Sequence, residues 1–403
     1  MNNRKLDVYY HNKLVGTLAE MPDKRIAFQY SDDWVRDGFS ISPRSLPLSN
    51  IVYVPPEKNR DIFHGLFGVF ADSLPDSWGE LLFDRYLSSV GIYRDQLTIL
   101  DRLAYVGTSG MGALEYYPSR ETDFDINNAD LNYDELAVAC ANLISSKPSD
   151  QLDLLFKMAG SSGGTRPKIL MHEDNEDYII KFPAAKDPSV CGKREYDYSL
   201  CAKKCGIEMT DTYLVPSKMC EGYFKTKRFD RVSGEKIFSI TFAALLEADF
   251  RAPSCDYSAY MRLIQILTKD NTHDKEQMFL TMCFNTLCHN RDDHTKNFSF
   301  IYTEGHSWRL APAYDLTYST TYFGEQTTSV NGKGKDVMDE DLIKIGVDAG
   351  LSKEYCITSL ERIKEFTQDD LEIYLDSKHL RKRKKEPLSK KISEIADKSS
   401  RNL

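Results

Sequence analysis

The chain is predicted to be an α+β protein, and three observations carry that prediction. Alternating apolar runs crowd residues 5 to about 55, in "LDVYYHNKLVGTLAE" and "RIAFQYS", and period-2 alternation marks half-buried strands. A second group of short runs, "KILM", "YIIKFP", "TYLVPS" and "GYFKTKRFD", falls between residues 168 and 230. Beyond about residue 237 apolar residues recur at helical spacing, interrupted by the hairpin "FSFIYTEGHSWRLAPAYD".

Taken in order, the first two strands are expected to turn at Asn12-Lys13. "GVFADSLPDSWGELLFDRYLSSVGI" has helical spacing and stops at a glycine, whereas "LAYVGTSGMGALEYYP" reads as extended structure with glycine turns. The acidic, Asn-rich "SRETDFDINNADLNYDE" reads as a solvated linker. These features set a β-rich domain at 1–125. The next segment, 126–235, begins with the glycine-rich turn "MAGSSGGTRPKILM". Two strands follow around "HEDNED", the second ended by Pro183, then the helix "KREYDYSLCAKKCGI", stopped by Gly206, and two more strands. The third segment, 236–403, is mainly helical and holds a basic run from Lys378 to Lys385. No internal repeat is visible.

Composition narrows the class. A chain of 403 residues with 20 Phe and 23 Tyr can fill two or three cores. A net charge of −9 argues against wholesale coating of nucleic acid. The opening "MNNRKLDVYY" lacks an apolar signal core, and no run of about 18 apolar residues exists. Nine scattered cysteines without a C-x-x-C pair fit reduced thiols, so a cytoplasmic protein without a membrane span is expected. Cys201 and Cys205 are one helical turn apart with no further ligand at metal spacing, and read as helix packing.

The chemistry is concentrated in "HNRDDHTKNFSF", residues 289 to 300. Asp292 stands five places before Asn297, the spacing of a kinase catalytic loop. There the Asp addresses the attacking hydroxyl, and the Asn completes the shell of a Mg²⁺ ion, which demands hard oxygen ligands. Lys296 is placed to steady the transferring phosphate; Asp293 reads as a spare and His294 as a hydrogen-bonding residue. The hairpin that follows returns the chain to Asp315, a second metal ligand. Upstream, Lys181 interrupts an apolar strand, a costly position unless its ammonium meets an anion. Glu195 lies early in the next helix, able to pair with it. One hairpin earlier, a glycine-rich turn containing Gly163 and Gly164, with Lys168 after it, is suited to covering phosphates with backbone N–H groups. Glycine turn, Lys strand, Glu helix, two strands, helices, D-x-x-x-x-N, hairpin, Asp: this order is that of a protein-kinase-like two-lobed fold. A β-rich N-terminal subdomain is added to it, and its C-terminal lobe is mainly helical. The chain departs from eukaryotic kinases in lacking G-x-G-x-x-G, in Asp-Leu-Thr for Asp-Phe-Gly, and in Asn290 where a histidine is usual.

These residues resemble the HipA family of bacterial toxin kinases. "LPLSN", "GVFADSLPDSWGELLFDRYL" and "VGTSGMGALEYYP" are similar to its N-terminal subdomain. "GSSGGTRPK", "YIIKFP", "REYDYSLCAKKCGI", "KRFDR", "DDHTKNFSF" and "LAPAYDL" are similar to its kinase core, in family order. The resemblance implies an ATP- and Mg²⁺-dependent serine/threonine protein kinase. Asp292 is then the base, Asn297 and Asp315 hold the metal, Lys181 contacts phosphates, and the backbone of Lys227, Arg228 and Phe229 is the adenine hinge. Autophosphorylation is implied at Ser161 or its neighbour Ser162. The family acts in toxin–antitoxin pairs, so a helix-turn-helix antitoxin on a separate chain is implied, with operator DNA reached through that complex. Its known protein substrates include aminoacyl-tRNA synthetases. The rival readings are a small-molecule phosphotransferase and a non-catalytic binding module on the same fold.

Overall fold

A computed structural model of the chain describes residues 4–120, 131–159, 164–184, 186–253, 255–303, 307–321 and 323–375. The backbone divides into two units, Met1–Ile180 with Asp230–Asp249, and Lys181–Phe229 with Phe250–Leu403.

The first unit is organised on a five-stranded antiparallel sheet, in the spatial order Val52–Tyr53, Ile26–Tyr30, Lys13–Glu20, Lys5–Tyr10, Glu115–Tyr117. The expected alternation holds on the first strand, where Leu6 and Val8 are buried. A register shift opposite Val8 and Tyr9 then changes the phase, so that Val15 and Leu18, three residues apart, are both buried, and Ile26, Ala27 and Phe28 are buried in succession. The first hairpin turns on His11 and Asn12, with φ of 45° and 62°, one place earlier than expected. A tight hairpin turn of this hand needs positive φ at both central residues, which Asn tolerates better than Lys.

Two other expectations are corrected here. The long helical segment is broken into Gly68–Ala71 and Ser77–Ser89. Pro75 offers no N–H between them, and the Asp72 carboxylate accepts the Thr241 amide (2.8 Å) and hydroxyl (2.9 Å). "LAYV" is not extended but ends the helix Ile99–Val106, started by reciprocal bonds between Thr98 and Asp101. Helices Tyr133–Ile144 and Leu152–Ala159 then precede the glycine-rich segment, and Lys168–Glu173 and Glu176–Lys181 form the next hairpin.

Residues 230–249 belong to this unit because buried charge ties them to it. Asp230 accepts the Gly112 amide (2.7 Å), and Arg231 donates to the carbonyls of Gly110 (2.9 Å) and Gly112 (2.8 Å). Glu247, in the left-handed region at φ 53°, accepts the Gly68 amide (3.1 Å) and the Asn59 side-chain amide.

The second unit pairs strand Thr212–Val215 antiparallel with Tyr223–Lys227 and packs the helix Cys191–Lys204 against them. Gly192 permits the approach: a Cβ there would lie 2.2 Å from the Gly222 carbonyl oxygen. Cys201 and Cys205 are buried in the packing of this helix, as expected. The helices Tyr257–Leu267, Thr272–Leu287, Asp339–Asp348 and Lys353–Leu375 supply the rest of the core, around Tyr198, Phe284, Ile363 and Tyr374. The hairpin Ser299–Thr303 with Ser307–Leu310 forms where expected. Among the described residues no helix is long and apolar enough to cross a membrane.

Candidate active site

Lys181 ends its strand with its ammonium 2.6 Å from Glu195 Oε1 and in contact with the Asp315 carboxylate. The helix beginning at Cys191 delivers Glu195 to this point, and the turn after Ser307–Leu310 delivers Asp315. Burial opposes the lysine's charge, but the two carboxylates outweigh it and raise the pKa above the ordinary lysine value. The ring of Phe224, 5.7 Å from the ammonium, adds a π face. Asp315 has φ 58°, a left-handed conformation that a non-glycine residue adopts at a cost, as functional residues often do.

The 289–300 loop is fixed at many points. His289, at φ 54°, turns the chain out of the helix Thr272–Leu287. Asn290 donates to Asn285 Oδ1 (2.9 Å) and bridges to Ser319. The Ser319 hydroxyl accepts the Asp292 amide (2.8 Å), and Asn297 Nδ2 donates to the Asp292 carbonyl (2.7 Å). These bonds hold the Asp292 backbone, while its side chain is 65 % exposed. Thr327 donates its amide (3.0 Å) and hydroxyl (2.8 Å) to the Arg291 carbonyl.

Asp293 is the anchor of the loop rather than a spare. It is fully buried and accepts from the Tyr257 hydroxyl (2.8 Å) and the Thr328 amide (3.0 Å). Burial pushes its carboxyl up to about 7. No spacing in the sequence signals this role, because its partners lie 35 and 36 positions away. Among the described residues the His294 ring makes no hydrogen bond, in contrast to the expectation; only its carbonyl does, accepting the Asn297 amide (2.9 Å). The ring lies edge-on to Phe250 with centroids 5.4 Å apart, and its Nε2 stands 3.8 Å from Asp292 Oδ1. Lys296 places its ammonium 4.7 Å from the Phe250 ring centroid.

At the proposed hinge, Lys227 ends its strand with its amide donating to the Asp211 carbonyl (2.9 Å); Arg228 is buried, and Phe229 stacks on Tyr314 at 5.4 Å. In the first unit, Lys168 is buried and its ammonium lies against Gly164, where a Cβ would stand 2.7 Å away. The Gly164 amide donates to Asp76 (2.8 Å). Ser161, Ser162 and Gly163 lie outside the described residues, as does the basic run 378–385.

The second unit thus brings together a lysine held between two carboxylates, and it fixes an exposed aspartate beside an asparagine. A profile of the HipA-like C-terminal domain matches residues 160–370, and one of the HipA N-terminal domain matches 6–117. HipA of Shewanella oneidensis, solved with HipB and operator DNA, superposes with a TM-score of 0.67 at 18% identity, over 96% of this chain and 97% of that one. A Sinorhizobium fredii protein provisionally named kinase Y4dM is 26% identical over 90% of each chain. A Haemophilus influenzae protein, also provisionally named a kinase, is 23% identical over 62% of this chain and 82% of its own. The fold is an α+β fold of the kinase-like class. The chain belongs to the HipA family.

Proposed function

We propose that this chain is an ATP-dependent serine/threonine protein kinase of the HipA type and the toxin of a toxin–antitoxin pair. The observation that carries the reading is Lys181, paired at once with Glu195 and Asp315. Phosphoryl transfer needs a cation held in place to receive phosphate oxygens, and a lysine clamped between two acids is so held. Asp292, with its backbone fixed and its carboxylate exposed, accepts the proton of the acceptor hydroxyl as that oxygen attacks the γ-phosphorus; the bond to ADP breaks. Lys296 lies in the same loop to steady the transferred group.

The donor set suits Mg²⁺. Asp315 and Asn297 offer hard oxygens, and the bond from Asn297 Nδ2 to the Asp292 carbonyl leaves Oδ1 as the ligand atom. An ion held by these residues would supply charge neutralisation for the nucleotide phosphates. Lys227, Arg228 and Phe229 supply the adenine hinge, and Gly163, Gly164 and Lys168 cover the phosphates. Ser161, less so Ser162, is the autophosphorylation site. The partner is a helix-turn-helix antitoxin on a separate chain, with operator DNA reached through it; HipB and operator DNA named with the Shewanella protein support this. A protein such as an aminoacyl-tRNA synthetase is the substrate, and the cytoplasm the compartment.

The test is incubation of the purified chain and of Asp292→Asn with Mg²⁺-ATP and cell extract, followed by phosphopeptide mapping. New phosphoserine or phosphothreonine on a protein with wild type alone is the expected result. Phosphate found only on small molecules assigns the chain to the small-molecule phosphotransferases. Induction without an antitoxin is expected to stop growth; harmless induction of active enzyme removes the toxin role.

A further inference from the structure

Among the described residues, Arg194 is a buried cation that no carboxylate meets. It retains 6% of its surface, and its Nε is buried without a hydrogen-bond partner. Among the described residues its guanidinium faces the ring of Tyr318, 5.4 Å to the centroid, and no carboxylate. Arg102 and Arg231, comparably buried, pair with Glu80 and Asp230. Desolvating a guanidinium is costly, and a π face compensates only in part. The missing partner is an anion.

The neighbouring segment indicates which anion. Tyr318 follows Asp315 by three residues, in the hydroxyl-rich run "LTYSTTY". Ser319 forms an extended bridge with Asn290, and its hydroxyl serves the Asp292 amide. Thr320 stands two residues beyond Tyr318, the spacing that on extended backbone returns a side chain to the same side about 7 Å further along. That is within reach of an arginine side chain. Thr320 is exposed, and its hydroxyl takes no hydrogen bond among the described residues.

We propose that Arg194 is the receptor for a phosphoryl group carried by Thr320. The inference rests on the kinase reading. The Thr320 oxygen attacks the γ-phosphorus of a nucleoside triphosphate, the bond to the diphosphate breaks, and the hydroxyl proton leaves through Asp292 to solvent. The product is close to a dianion with three acceptor oxygens, matched to the forked donors of a guanidinium. Arg194 adjoins Glu195, so this bond fastens the segment after Asp315 to the helix that holds Lys181.

The experiment uses the full chain as wild type, Asp292→Asn, Arg194→Gln and Arg194→Lys, each incubated with Mg²⁺-ATP. Peptide mapping locates the phosphate, and ³¹P spectra follow its titration. A parallel sample carries phosphothreonine installed at position 320 during translation. The expected result is phosphate on Thr320 of wild type and none there on Asp292→Asn. The phosphorus midpoint is expected below the ordinary value of about 6, to return to it in Arg194→Gln and to lie between in Arg194→Lys. A wild type that modifies other residues but never Thr320 overturns the proposal, as does a midpoint indifferent to Arg194. Arg194-dependent binding of inorganic phosphate, with Thr320 unmodified, assigns the receptor to free phosphate and overturns the covalent source. Loss of all transfer by wild type removes the kinase reading, while the installed phosphothreonine still decides the role of Arg194.

Discussion

Lys181 and Asp315 stand 134 positions apart in the chain and form an ion pair, with Glu195 2.6 Å from the same ammonium. Lys181→Met leaves the buried Glu195 carboxylate facing Asp315 with no cation between them. Breaking such a pair from one side costs about 3 kcal/mol or more, and the cation for the phosphates is lost as well. Phosphoryl transfer is expected to fall at least about a hundredfold, with a lower melting temperature. Glu195→Gln keeps an acceptor oxygen and the Asp315 contact, so its loss is smaller. Radiolabel transfer and thermal unfolding of the two variants check this order.

Asp292→Asn separates chemistry from binding. The bonds that hold this residue are made by its backbone, to Ser319 and Asn297, so the loop keeps its shape in the variant. Transfer is expected to drop by about 10² to 10⁴ with loss of the proton acceptor, while calorimetry finds nucleotide affinity near wild type. Asp315→Asn, by contrast, is expected to weaken binding of Mg²⁺-ATP. Near-wild-type turnover in Asp292→Asn would falsify the base assignment.

Asp293 makes stability depend on pH. Its folded carboxyl is raised by burial to about 7, against 3.8 ordinarily. The folded state therefore holds this proton more tightly than the unfolded state. Below about pH 4 both states are protonated and nothing is lost. As pH rises from about 4 to 7 the unfolded chain ionises first, so stability falls, by up to roughly 4 kcal/mol, and the loss is constant above 7. Asp293→Asn keeps an oxygen for the Thr328 amide and carries no charge. Its melting temperature is expected to vary less between pH 5 and 8 than that of wild type; equal slopes exclude Asp293 as the source.

Gly192 sets how closely the Glu195 helix approaches its neighbour. A methyl group at this position meets the Gly222 carbonyl oxygen at 2.2 Å, and backbone cannot step aside as a side chain does. Gly192→Ala is expected to cost about 1 to 3 kcal/mol, as overpacking does, and to reduce transfer by moving Glu195 away from Lys181. Denaturant unfolding and kinase assays of Gly192→Ala beside Leu200→Ala, a control at an exposed position of the same helix, measure both effects.

Much of this was legible in the chain itself. The alternation of the first strand, with Leu6 and Val8 buried, was readable because a strand's side-chain period is two, whereas the register shift that buries both Val15 and Leu18 was not. Lys181 announced its need for an anion by interrupting "YIIKFP", and the early position of Glu195 in the next helix supplied one. Where local signals conflicted, reading failed: "LAYV" has the look of a strand, but the Thr98 and Asp101 bonds start a helix just before it, and Pro75 breaks a run whose apolar spacing is continuous. Tertiary structure alone decided the rest. Asp292 and Asp293 are identical in kind and adjacent, yet one is exposed and one is buried against Tyr257 and Thr328, partners that no local pattern brings near. Arg194 likewise reads as one more charge on a helix until folding removes it from water and leaves it over Tyr318. Side-chain period and residue chemistry are local properties and are written in the sequence; burial and long-range pairing depend on which distant segments meet, and only the folded chain determines them.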